Sequence, residues 1–367
     1  MKRDVPPYRA DHVGSILRSA PLKEARSKRA AGQLSAAELA AVEDAEIRKI
    51  ITRQEEIGLR SVTDGEFRRA YWHFDFLSGL DGVEMVGAPQ GIQFAGVQSK
   101  AEAPFVKGKL GSRHHPQIAH FEFLKANTKR TPKMTIPSPS MLHYRGGRNM
   151  IAKSVYPAME EFYRDLGQAY KQAIQGFYAA GCRYLQLDDC SFAYLCDPAQ
   201  RKMLADRGED PDKQGEIYAG MINAALDGRP RDLIVTSHVC RGNFRSTFIA
   251  SGGYEPIADL LFNKVNVDGY FLEWDNDRSG GFEPLRFLPK GKTVVLGLVT
   301  SKIGALEDTD MLKRRIAEAA KYAPLDQLCL SPQCGFASTE EGNVLGEDEQ
   351  WAKLRRVVEV ADEVWGR

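Results

Sequence analysis

The run Thr293-Val-Val-Leu-Gly-Leu-Val-Thr300 is apolar along almost its whole length. A strand that is covered on both faces has such a continuous run, whereas a half-buried strand alternates apolar and polar residues. Comparable short runs recur along the chain and predict further strands. The eight candidate strands are residues 12–15, 59–63, 133–137, 184–188, 233–238, 267–273, 293–300 and 327–331.

Helical patterns lie between these runs. Ser35-Ala-Ala-Glu38 is a capping box that predicts a helix ending near residue 56, and further helices are predicted at about 156–180, 212–226, 255–261, 309–322 and 348–365. Eight strands alternating with helices predict an α/β fold, a single (β/α)8 TIM barrel over residues 1–367. A Gly-rich stretch at about 79–115 predicts an insertion after the second strand. The competing fold is a doubly wound open sheet.

The composition is that of an ordinary globular protein. Of 367 residues, 43% are hydrophobic and 27% charged, and the net charge is +1, so the chain has no nucleic-acid or membrane footprint. The first residues lack the apolar core of a signal peptide, and the longest strongly apolar run, at 294–299, is too short to span a bilayer. We therefore expect a cytoplasmic protein. Its six cysteines are expected to be buried, catalytic or metal-bound.

Polar residues fall where the predicted strands end. The carboxyl ends of barrel strands form the rim that carries active sites. Reading each strand to its end gives Gly14, Ser15, Asp64, Glu66, Ser138, Asp188, Asp189, His238, Cys240, Glu273, Asp275, Thr300 and Cys334. Reactive groups gathered at one rim indicate an enzyme.

A metal site is predicted on three of these strand ends. His238 and Cys240 are two apart, so an extended backbone points both to one side, and imidazole with thiolate suits zinc. Cys334 follows another strand, and Glu273 ends an apolar run in which a carboxylate needs a cation. A buried core histidine and cysteine, and an ion pair of Glu273 with Arg278, are the structural alternatives.

Two carboxylate positions suggest substrate binding. Asp188 and Asp189 follow a buried run, and an inward-facing acid there suits an ammonium group or a proton transfer. Asp189 has a helix N-cap as its alternative role, and Glu66 a solvated turn. Tyr144 is either a core aromatic residue or a stacking platform.

Together these residues resemble the catalytic C-terminal barrel of the cobalamin-independent methionine synthase family, in its short bacterial form. The resemblance runs from His12-Val-Gly-Ser15 to the last helix and includes Cys240-Arg-Gly-Asn-Phe-Arg245 and Ser331-Pro-Gln-Cys-Gly-Phe336. The family's zinc ligands are His-x-Cys, a Glu after an apolar run, and Cys-Gly. They correspond to His238, Cys240, Glu273 and Cys334.

The resemblance implies a zinc-dependent methyltransferase that makes methionine from homocysteine with a methyl-folate donor. The family's homocysteine site carries over to Val13, Gly14, Ser15, Glu66 and Asp188. It implies that Glu66 and Asp188 hold the ammonium group and that Ser15 contacts the carboxylate. Tyr144 stands where the family has a tryptophan that stacks on the folate.

Two departures affect the donor side. The family's proton-donating histidine corresponds to Thr300, so Thr300, Ser301 or water is expected to relay the proton; a folate-contacting glutamate corresponds to Tyr194. Arg68, Arg69 and Lys302 are candidates for binding the folate's acidic tail.

Other functions and partners stay open. One alternative is a zinc alkyltransferase that uses another thiol or donor, as the epoxyalkane–coenzyme M transferases do; another is a non-catalytic barrel that binds zinc or a thiol. The sequence leaves open whether the protein is a homo-oligomer.

Overall fold

The computed structural model describes residues 1–366. The helices are α1 (Ala20–Ala30), α2 (Ala36–Glu56), α3 (Phe74–Leu77), α4 (Gln117–Asn127), α5 (Ser140–Tyr144), α6 (Met159–Ala179), α7 (Ser191–Tyr194), α8 (Pro198–Asp206), α9 (Pro211–Leu226), α10 (Thr309–Ala319) and α11 (Glu347–Trp365). The strands are β1 (Ser61–Val62), β2 (Asp81–Gly87), β3 (Gln93–Phe94), β4 (Val97–Gln98), β5 (Glu102–Gly111), β6 (Thr131–Pro132), β7 (Met134–Pro137), β8 (Tyr184–Asp189), β9 (Ile234–Val239), β10 (Gly269–Glu273), β11 (Thr293–Val299) and β12 (Leu328–Pro332).

Eight parallel segments form a closed ring. Strands β7 to β12 form one parallel sheet in chain order, and β1 pairs with β6, which one residue separates from β7. The ring closes through the N-terminal segment, where Ala10 forms a parallel bridge with Leu330 and the Ile16 amide donates to the Gly65 carbonyl at 3.1 Å. The predicted (β/α)8 barrel is therefore confirmed, and the open sheet is wrong.

The first barrel segment differs from its prediction. Residues 12–15 do not form a regular strand, because Gly14 has a φ of +139° and leaves the extended conformation. The predicted helix at 255–261 is a 3₁₀ turn, Glu255–Ile257, followed by a π-helical turn, Leu260–Lys264. Six helices, α1, α3, α4, α5, α7 and α8, have no counterpart among the predicted helices.

The insertion between β1 and β6 is antiparallel. Strands β2 and β5 pair over most of their length, and β3 and β4 form a small hairpin between them. Phe94 of this hairpin is buried, with its ring 5.1 Å from that of Phe244 in the loop after β9. The insertion therefore reaches the rim at the carboxyl ends of the strands. The assignment of the whole chain to one domain stays a prediction.

The core lies between the strands and the surrounding helices. Helix α6 buries Phe162, Leu166, Tyr170, Ile174 and Phe177, which recur at the helical spacing and cover one face. Each such side chain contributes about 1.5–3 kcal/mol when fully buried. Within residues 1–366, no helix is long and apolar enough to cross a membrane.

Candidate active site

Four potential metal ligands converge at the rim. His238 lies near the end of β9 and Cys240 directly after it, while Glu273 ends β10 and Cys334 follows β12. All four side chains are buried, and their ligand atoms lie within 4.8 Å of one another. The two thiol sulfurs, Cys240 Sγ and Cys334 Sγ, are 3.5 Å apart. The parallel strands bring together residues that are up to 96 positions apart in the chain.

The geometry of this cluster fits zinc. His238 Nδ1 lies 3.3 Å from the Phe271 carbonyl, while Nε2 is buried and has no hydrogen-bond partner among residues 1–366. A proton on Nδ1 leaves the Nε2 lone pair free for a metal. Zinc–sulfur bonds of about 2.3 Å at tetrahedral angles place ligand atoms roughly 3.8 Å apart, close to the sulfur–sulfur distance found here.

Glu273 belongs to the cluster and to an ion pair at the same time. Its Oε1 accepts from the Arg241 backbone amide at 2.9 Å, and its Oε2 lies 2.7 Å from Arg278 Nη2. Burial raises the pKa of Glu273, but Arg278, Lys302 and His238 outweigh it and hold the pKa below its ordinary value. A carboxylate has about four acceptor positions, so these two contacts leave about two, of which a metal can take one.

A cavity opens directly onto the cluster and is here named the inner cavity. Seven of the predicted site residues line it, namely Val13, Ser15, Glu66, Asp188, His238, Cys240 and Cys334. Glu273 is fully buried and does not line this cavity. A molecule in the inner cavity therefore faces His238 and the two sulfurs, with the carboxylate of Glu273 behind them.

Glu66 is a buried side chain and not a solvated turn residue. The Asp64 carboxylate accepts from the Glu66 amide at 2.8 Å and fixes the turn, in which Glu66 has a φ of +60°. Left-handed conformations are costly for residues other than glycine and cluster at functional sites. The Glu66 carboxylate accepts from Thr135 Oγ1 at 2.5 Å and forms an ion pair with Arg69.

The two neighbouring aspartates have different roles. Asp188 lines the inner cavity and accepts from Gln186 Nε2 at 2.7 Å; burial raises its pKa to about 6, although Arg69 opposes the shift. Asp189 Oδ1 accepts from the Phe192 amide at 3.0 Å and so caps α7. The structure thus places Asp188 in the cavity and gives Asp189 the structural role.

The Gly14-Ser15 turn packs tightly against Thr135 and Glu66. A Cβ on Gly14 would lie 2.8 Å from Thr135 Cγ2 and 3.0 Å from Glu66 Oε1, and a Cβ on Gly335 would collide with Ser15 Oγ. Ser15 Oγ accepts from the Ala337 amide at 3.2 Å, which leaves its hydroxyl hydrogen free to donate. Glycine at position 14 therefore allows Glu66 and Ser15 to approach one ligand.

The structure does not bring Thr300 or Tyr144 into the inner cavity. The Thr300 amide donates to Glu307 at 2.8 Å, and its hydroxyl lies 3.5 Å from Gln333 Oε1. Tyr144 donates to Gln200 at 3.1 Å and lines a second cavity, here named the outer cavity, beside the insertion. Thr300 as proton relay and Tyr144 as stacking platform stay predictions.

Among the residues of the inner cavity that were not predicted, Cys190 carries a thiol and Arg145 a positive charge. Cys190 directly follows the two aspartates, and Arg145 directly follows Tyr144. Their positions beside predicted site residues were the only sequence signal. Of the basic residues that were predicted, Arg68 forms ion pairs with Glu43 and Asp44 on α2 and does not line the inner cavity.

Comparisons with known proteins give one matching family and several relatives. The family described as the catalytic domain of cobalamin-independent synthase matches residues 9–363. The uncharacterized protein YxjH of Bacillus subtilis is 53% identical over 98% of this chain and 95% of its own length. A 5-methyltetrahydropteroyltriglutamate–homocysteine methyltransferase of Bacillus velezensis is 22% identical over 95% of this chain, which spans 42% of that enzyme.

A solved structure is similar over its full length. It comes from Listeria monocytogenes and is described as a candidate vitamin-B12 independent methionine synthase. It is 43% identical, covers 100% of both chains and superimposes with a TM-score of 0.80.

Proposed function

The chain belongs to the cobalamin-independent synthase family and is a methyltransferase, and from this premise we propose that it methylates homocysteine to give methionine with zinc as its metal. We propose a methyl-folate as the donor, in line with the name of the 22% identical relative. The family membership sets aside the interpretation of the barrel as a non-catalytic thiol-binding protein.

One observation carries this proposal. His238, Cys240 and Cys334 line the same cavity as two carboxylates, Glu66 and Asp188. Homocysteine combines a soft sulfur, which suits such a metal site, with an ammonium group, which suits buried carboxylates.

When bound, zinc would deprotonate a coordinating thiol, whose pKa is otherwise near 8.5. The negative charge of two thiolates and a carboxylate around the ion would keep a coordinated substrate thiol electron-rich. Glu273 lies behind the three ligands that face the cavity and would be the ligand that gives up its position to that thiol. Arg278 Nη2, at 2.7 Å from the Glu273 carboxylate, would keep it in place.

The remaining residues orient the amino acid. Asp188 and Glu66 are proposed to bind the ammonium group, and Ser15 is proposed to donate to the carboxylate. Methyl transfer forms the sulfur–carbon bond and breaks the carbon–nitrogen bond of the donor, whose nitrogen takes up a proton. The residues that replace the family's donor-side groups, Thr300 and Tyr194, favour a second candidate: the same thiol methylation with a donor whose leaving group needs no proton, such as a sulfonium.

The test is activity of the zinc-loaded protein with matched substrates. Homocysteine, cysteine and coenzyme M would be compared as acceptors, and methyl-folate and a methyl sulfonium as donors, with zinc content measured in each preparation. We expect homocysteine to be methylated to methionine, and cysteine and coenzyme M to remain unmethylated. Alkylation of coenzyme M in preference to homocysteine, or full activity without metal, would contradict the proposal.

A further inference from the structure

Arg145 lines both the inner and the outer cavity. The outer cavity is mostly apolar and includes Phe74 and Ile92 from the region of the insertion, and Ile249 from the loop after β9. A substrate that occupies both cavities would therefore lie beside Arg145.

Arg145 has no acidic partner within the described part of the chain. Its Nη2 donates to Tyr194 Oη at 3.1 Å, and its guanidinium lies 5.2 Å from the Tyr194 ring, while Nε is buried without a hydrogen-bond partner. Burial raises the pKa of Tyr194 and of Tyr71, so both neighbours are uncharged at neutral pH. A partly buried cation without a counter-ion is unfavourable unless a ligand supplies one.

Two other cations of this region already have partners. Arg69, which also lines the inner cavity, forms an ion pair with Glu66. Lys302 Nζ donates to Asn243 Oδ1 at 3.0 Å and to the Thr247 carbonyl at 2.8 Å. Of the two arginines that line the inner cavity, Arg145 is therefore the one without an ion-pair partner within residues 1–366.

The protein holds Arg145 in a fixed position. Arg207 Nη1 donates to the Tyr144 carbonyl at 2.9 Å and to the Arg145 carbonyl at 3.3 Å, and Arg207 is itself paired with Glu209. With its backbone anchored and its guanidinium held against Tyr194, the arginine is preorganised for a ligand. A planar guanidinium matches a carboxylate with two parallel hydrogen bonds.

We infer that Arg145 binds an anionic substrate group, a carboxylate in the first place, and so determines which substrates the cavity accepts. This inference rests on the proposed function, because it names Arg145 as the residue that binds a carboxylate group of the proposed substrates. The carboxylate has two possible sources, which are the amino-acid thiol in the inner cavity and the second substrate in the outer cavity.

The experiment compares Arg145→Met with wild-type protein, both loaded with zinc. Arg164→Met is the control, since it removes one positive charge from a side chain that is 64% exposed. Binding of homocysteine and of 3-aminopropane-1-thiol, which keeps the thiol and the amine but lacks the carboxylate, is measured by calorimetry. Binding of methyl-folate is measured in the same way, and near-ultraviolet circular dichroism checks that the variants are folded.

If the amino acid supplies the carboxylate, Arg145→Met weakens homocysteine binding about 10- to 100-fold and leaves 3-aminopropane-1-thiol unchanged. If the second substrate supplies it, methyl-folate binding falls by a similar factor and homocysteine is unaffected. Arg145→Lys, which keeps the charge but loses the planar fork, is expected to restore part of the affinity.

Equal effects on homocysteine and 3-aminopropane-1-thiol, or no effect beyond the Arg164→Met control, would overturn the inference. Because binding is measured without turnover, failure of this inference can be distinguished from failure of the proposed function. If the wild type is active and the Arg145→Met variant binds both substrates normally, only this inference is wrong. If binding depends on Arg145 but no methylation occurs, only the proposed function is wrong.

Discussion

The active site has a metal side, with the four potential metal ligands, and a donor side, with Thr300 and Tyr144. Their polar groups are satisfied in different ways. On the metal side, His238 Nε2 is buried without a partner within residues 1–366, and the sulfur atoms of Cys240 and Cys334 contact each other. On the donor side, Thr300 contacts Gln333 and Glu307, and Tyr144 donates to Gln200. The metal side thus gathers potential ligand atoms at one point, whereas Thr300 and Tyr144 on the donor side have hydrogen-bond partners within the protein.

This difference separates residues whose family role is supported by the geometry of the structure from residues whose family role is not. A buried polar atom without a partner costs about 1–3 kcal/mol, so the unpaired His238 Nε2 beside three further potential ligand atoms favours a metal at this point. Residues that have found partners inside the protein give no such indication. The metal side therefore supports its predicted role by its geometry, and the donor side does not.

The largest effect is expected from the metal side. Cys240→Ser or Cys334→Ser removes one of two thiolates, and zinc content should fall from about one per chain to near zero, because loss of even an outer-shell partner costs 10–100-fold in metal affinity. Elemental analysis of purified protein measures this. Cys182→Ser is the control, since Cys182 is buried and its Sγ donates to the Tyr184 carbonyl at 3.3 Å, a bond that serine can keep. Full zinc content in the Cys240 and Cys334 variants would contradict the site.

A smaller effect is expected at Asp188. Asp188→Asn removes a charge that lies outside the ligand cluster, so homocysteine binding should weaken by roughly 10–100-fold, the value of a charge-assisted hydrogen bond, while zinc content stays constant. Calorimetry with zinc-loaded protein measures the first and elemental analysis the second. If zinc is lost instead, Asp188 supports the metal and the division of roles proposed here is wrong.

The metal side should also respond to pH. Burial raises the pKa of Asp188 to about 6 in the free protein. The carboxylate must be ionised to bind an ammonium group, so homocysteine affinity should decline, by up to tenfold per pH unit, as the pH falls below about 6. Asp188→Asn should flatten this acid limb. An unchanged limb in the variant would assign the titration to another group.

The smallest effect is expected on the donor side. Thr300→Val removes a hydroxyl whose bond to Gln333 is long, at 3.5 Å, so kcat should change by less than about threefold. Steady-state kinetics with saturating homocysteine and methyl-folate measures this. A loss of 100-fold or more, the range of general acid catalysis, would show that Thr300 relays a proton despite its position outside the inner cavity.

Much of the site followed from local patterns. The continuous apolar runs predicted the parallel strands, and the position after each run predicted that His238, Cys240, Glu273 and Cys334 share one rim. The spacing of two between His238 and Cys240 is a local property of an extended chain. Such features depend only on residues that are close together in the chain, so they can be predicted from the sequence.

Side-chain partners did not follow from local patterns. The sequence offered an ion pair and a metal as alternatives for Glu273, and the structure combines the Arg278 ion pair with membership of the cluster. It gave no reason to single out Arg145, whose importance depends on the absence of an acid around it. These properties are set by residues distant in the chain.

The sequence by itself determined the barrel, the family and the set of potential metal ligands, because strand periodicity and motif spacing are encoded within a few residues. Only the tertiary structure decided which groups face the cavity, which are satisfied internally and which cation lacks a counter-ion. The physical reason is that hydrogen bonds and burial are settled by contacts across the ring of strands, such as that between Cys240 and Cys334, 94 residues apart.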